Sequence, residues 1–187
     1  MVSQLTRMMK NRCPQPFGPL GLIVLLTMVT GSGAADAADE FSKVQCGTDI
    51  AKELIGSRVT TDPVVRIEAR HKDLQLKDRG GYEASSTLFL SSWQICGQEY
   101  MEMVDRNSRI TDVIAVPRHS ANAPESIGAC SNPTATARVV VAILGNDGGD
   151  SDFPATVAWQ VDEVKKVFRK LPVEALRCPR NEIVTGD

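Results

Sequence analysis

Four cysteines, Cys46, Cys96, Cys130 and Cys178, limit what this chain can fold into more than any other feature. An even number of cysteines, tens of residues apart and with no C-x-x-C pair, reads as two disulfides in an exported domain rather than as a metal cluster. Three pairings are possible. The expected one joins Cys46 to Cys178, tying the ends of the domain, and Cys96 to Cys130, pinning a loop to a strand.

The fifth cysteine, Cys13, lies in a segment that reads as a signal for export. Arg7, Lys10 and Arg12 precede an uncharged run whose most apolar part is Leu20 to Val29, and Ala35, Asp36 and Ala37 form a small-x-small cleavage pattern. The apolar run is about half of what a bilayer span requires, so cleavage fits better than an uncleaved anchor. Residues 1–37 are read as the signal peptide and residues 38–187 as one exported domain, with no stable membrane span after cleavage. The long basic stretch leaves Met8 or Met9 as alternative starts.

Removing the signal changes the charge. Three of the 21 Lys and Arg residues and one of the 23 Asp and Glu residues fall in it, which leaves the mature chain near net charge −4. Scattered basic residues on an acidic chain give no electrostatic footprint for phosphate backbones or anionic lipid, so no nucleic-acid partner is expected. About 150 residues suffice for one self-supporting core.

Residues 48–55 carry the clearest helix signal: Thr48 or Asp49 as cap, Ile50 with Leu54 and Ala51 with Ile55 on one face, and Gly56 as terminator. "PVVRIEARH" alternates Val65, Ile67 and Ala69 with charged residues and predicts a strand with one wet face. "HKDLQLKDRGG" reads as a connection. The stretch from Ser85 to Asp105 reads as extended, with a bulge or corner at Gly97. "DRNSR" predicts a turn into a returning "ITDVIAV", and Pro117 to Pro133 reads as a long loop. "TARVVVAILG" is apolar enough to be a central strand. Residues 156–171 fit both a helical stripe and a hairpin turning at Asp162 and Glu163, and the valines favour the hairpin. The fold class expected is α+β: a small antiparallel β-sheet with one or two covering helices, stapled by disulfides.

Candidate sites are sparse. "GNDGGDSDF" offers Asp147, Asp150 and Asp152 as calcium ligands, but neither register places glycine sixth and glutamate twelfth, and a solvated turn explains the composition as well. No cofactor is expected, and calcium is the one ion this loop suggests. His71 and Asp73 stand at i, i+2 and with His119 would complete a two-histidine, one-carboxylate site, although no local motif joins them. His119 adjoins Ser120 without any G-x-S-x-G elbow, so no catalytic residue can be named. Glu68, Asp73, Glu99, Glu102 and Asp105 are the carboxylates from which a hydrolytic pair would be drawn. Trp93 and Trp159 sit in apolar contexts that suit a core; exposed, they and Tyr100 would mark a binding surface. These features describe a periplasmic or secreted binding or inhibitor-like module for a protein or peptide partner in the cell envelope. A metal- or carboxylate-dependent hydrolase and a structural envelope component are the alternatives.

Overall fold

The computed structural model describes residues 39–120, 122–131, 136–146 and 152–180, so the signal segment and the residues Asp147 and Asp150 lie outside it. Helix α1 spans Ile50–Leu54, α2 spans Val64–Arg70, and a 3-10 turn covers Lys72–Leu74. The strands are β1 Lys77–Ser85, β2 Leu88–Ile95, β3 Gln98–Asp105 and β4 Ile110–Val116, then β5 Glu125–Ser131, β6 Thr136–Leu144, β7 Asp152–Asp162, β8 Val167–Lys170 and β9 Arg177–Pro179.

The first four strands form an antiparallel meander in sequence order. The remaining strands build a small barrel: β5 pairs with β6, β6 with β7, β7 with β9 and β9 with β5, which closes the ring, while β8 pairs with the end of β7. The architecture is therefore mostly antiparallel β with a few short helices, in agreement with the expected α+β class.

Alternation along β2 and β3 explains how the sheet buries both faces. Leu90, Met101 and Met103 point to one side and pack with Val141, Ile143 and Val161 of the barrel. Trp93 and Ile95 point to the other, against Phe41, Ile50, Leu54 and Ile67 of the helical layer. Inside the barrel the core is smaller, made of Cys130, Val140, Ala142, Leu144, Ala158, Leu176 and Cys178. Small side chains suit the narrow interior of a four-stranded ring.

Local chemistry accounts for most elements. Asp49 accepts the Lys52 N–H and caps α1. The corner expected at Gly97 is a two-residue hairpin turn: Cys96 has φ 52° and Gly97 φ 81°, and Ile95 pairs with Gln98 across it. Two consecutive residues at positive φ are the turn that matches strand twist, and glycine makes it cheap. Gly81 has a different reason to lack a side chain, because a Cβ there would lie 2.2 Å from the Phe89 ring, which lies across β1. The hairpin reading of residues 156–171 holds, with β7 and β8 joined by a turn over residues 163–166.

Four expectations are corrected. "HKDLQLKDRGG" is not only a connection, since a 3-10 turn covers Lys72–Leu74 and β1 begins at Lys77. "PVVRIEARH" is not a strand but α2, and of its residues only Ile67 is buried while Val65 is 71 % exposed. Pro63 opens the helix, and the strand-like alternation did not correspond to any buried face. The span from Pro117 to Pro133 is not wholly loop, since β5 occupies Glu125–Ser131. The disulfides join Cys46 to Cys96 and Cys130 to Cys178 rather than Cys46 to Cys178 and Cys96 to Cys130. The physical reason is that the chain lays down its two layers in order. Cys46 precedes α1 and Cys96 lies in the β2–β3 turn, so that bridge ties helices to sheet. Cys130 and Cys178 stand on the adjacent strands β5 and β9.

Candidate functional site

Glu99 lies near the start of β3 and pairs with Val116 at the end of β4. The chain leaving β4 therefore brings His119 back over Glu99, and the His119 Nε2 is 3.0 Å from Glu99 Oε2. The other carboxylate oxygen, Glu99 Oε1, accepts the hydroxyl proton of Ser92 at 2.8 Å, and Ser92 is buried in β2. Glu125, the first residue of β5, completes the group: one ligand-type atom from each of Glu99, His119 and Glu125 lies within 4.8 Å of the others.

Glu125 Oε1 is buried and has no hydrogen-bond partner. Burial, followed by the charge of Glu99, raises the Glu125 carboxyl to about 7, against the opposing pull of His119 and Arg79. Beside the cluster lies a cavity of about 260 Å³ lined by Arg79, Gln94, Gln98, Glu99, Arg118 and His119 among others. Among the described residues neither Arg79 nor Arg118 makes an ion pair. A roomier cavity, about 450 Å³, lies at the barrel, but its Arg169 is already neutralised by Asp162 at 2.8 Å.

The histidine expected to join His119 is elsewhere. The His71 Nε2 is 2.8 Å from both oxygens of Asp39, which also accepts from Arg70. Burial pushes the Asp39 carboxyl up, but the hydrogen bonds from His71 and Arg70 outweigh it and hold the group below its usual range. Asp73 is exposed in the 3-10 turn and belongs to neither cluster. Asp152, the one described residue of the three proposed calcium ligands, is exposed at the start of β7. Trp93 is buried, edge-on to Phe41 at 5.1 Å, while Tyr100 and Trp159 are partly buried against the two cores. All three serve packing.

The remaining carboxylates have separate structural roles. Glu68 accepts the Asp78 N–H, and Asp105 accepts from Asn107, Arg109 and Lys166 in and around the β3–β4 turn. Glu102 is fully buried beneath the helical layer with neither oxygen hydrogen-bonded. Burial, with the nearby charge of Glu40, raises its carboxyl to about 8. Sequence reasoning missed three site residues: Glu125, because β5 was read as loop, and Arg79 and Arg118, which no motif marks.

No family model, no curated protein and no solved structure matches this chain. The two disulfides indicate an oxidising compartment. Among the described residues no helix is long and apolar enough to cross a membrane.

Proposed function

We propose that this is an exported binding module whose docking place is the cleft between the β1 edge and the segment after β4. The observation that carries the reading is a pair of guanidinium groups, Arg79 and Arg118, that make no ion pair among the described residues and line one small polar cavity on the sheet. Two such arginines recognise carboxylates with charge-assisted, often bidentate hydrogen bonds. The cavity is small and polar, which suits an acidic side chain or chain terminus of a protein or peptide better than an apolar ligand. The test is affinity capture from envelope extract of the native host with the oxidised protein and with R79A/R118A. A specific protein retained by the first and lost from the second supports the reading. Equal retention, or none by either, contradicts it.

A hydrolase is the second reading, favoured by the convergence of Glu99, His119 and Glu125. It predicts turnover of a peptide or ester library that E125Q abolishes, and no turnover by the parent protein would dismiss it.

A further inference from the structure

We propose that Glu99, His119 and Glu125 form a binding site for one divalent transition-metal ion of the zinc or manganese type. Three different elements deliver the donors: β3, the segment after β4, and β5. Zinc binds carboxylate oxygen and imidazole nitrogen at about 2.0–2.2 Å in tetrahedral geometry, so ligand atoms of one ion stand about 3.3–3.6 Å apart. Atoms within 4.8 Å of one another close around an ion by side-chain movements of up to about 1 Å. An imidazole in the set argues against calcium or magnesium, which take oxygen.

Two further observations support the assignment. The buried hydroxyl of Ser92 holds Glu99 Oε1, an arrangement that fixes a ligating carboxylate from behind and turns its other oxygen inward. Glu125 Oε1 is buried without any hydrogen-bond partner, and a cation supplies the interaction it lacks. Three protein ligands beside an open cavity leave at least one coordination position for water or for a ligand's carboxylate. The site does not depend on partner binding, since neither Arg79 nor Arg118 is a ligand.

The test is calorimetric titration of zinc ion alone into the metal-free full chain, with H119Q, E125Q and, as control, V164A, a position exposed in the β7–β8 turn, in parallel. The expected result is one ion per chain, binding at least tenfold weaker in H119Q and in E125Q, and affinity within about threefold of the parent in V164A. His119 is partly exposed, so H119Q decides the matter if E125Q fails to fold. No zinc binding by the parent, or unchanged affinity in H119Q, overturns the proposal. Failure of zinc binding with partner capture intact removes the metal site alone, and the converse result removes the partner reading alone.

Discussion

Replacing Glu102 with glutamine should stabilise the domain, and by more as the pH rises. The side chain is fully buried on the helix-facing side of β3, opposite Ser91 and Val113, with neither oxygen hydrogen-bonded. Its carboxyl is raised from 4.5 to about 8, first by burial and then by Glu40. A raised carboxyl binds its proton more tightly in the folded than in the unfolded chain. Its contribution to stability is therefore complete below about pH 4.5, falls as pH rises, and is fully lost above about 8. At about 1.4 kcal/mol per pH unit between those limits, ionisation costs the fold roughly 3 kcal/mol at pH 7 and roughly 5 kcal/mol above pH 8. Glutamine keeps the shape and cannot ionise. Urea unfolding of both proteins between pH 4.5 and 9 measures the difference. The two should agree within about 1 kcal/mol at pH 4.5 and diverge steadily above it. Parallel stability curves across the range would refute the reasoning, because they would mean that Glu102 ionises as easily folded as unfolded.

The helical layer makes the opposite prediction in acid. Asp39 is held below its usual range, so its stabilisation is present above its unfolded value of 3.8 and is lost as pH falls through the folded value; D39N should flatten that acid limb and cost about 2 kcal/mol at neutral pH, read by thermal unfolding. G97A should cost about 1 kcal/mol in denaturant unfolding, since alanine must adopt φ 81° in the β2–β3 turn. Removing the Cys130–Cys178 bridge with a double alanine variant frees a closed loop of separation 48 and should cost about 4 kcal/mol, read as a lower urea midpoint.

What could be read from the residues was local. The α1 cap, the turn at Gly97, the β3–β4 hairpin and the central β6 each follow from a few adjacent side chains. Helix α2 was hidden because a seven-residue helix with one buried side chain has no apolar stripe to show. Strand β5, "ESIGACS", was hidden because small and polar residues suffice to line a narrow barrel. The disulfide pairing depended on the chain building two layers in succession, which spacing does not reveal. The Glu99–His119 contact was closer to legible: counting back from the turn places Glu99 opposite Ala115, a bulge between Met103 and Val104 moves it to Val116, and His119 follows three residues later. Glu125 required β5 to be recognised first.

The most direct test of the cleft as a docking site is photo-crosslinking in the native host, with a photoreactive residue at Gln98 on the cavity wall or at Val164, 91 % exposed in the β7–β8 turn. The account predicts one dominant crosslinked protein from position 98 that is absent from position 164 and disappears when R79A/R118A is added. Crosslinks from 164 alone, the same products from both positions, or none from 98 would contradict it.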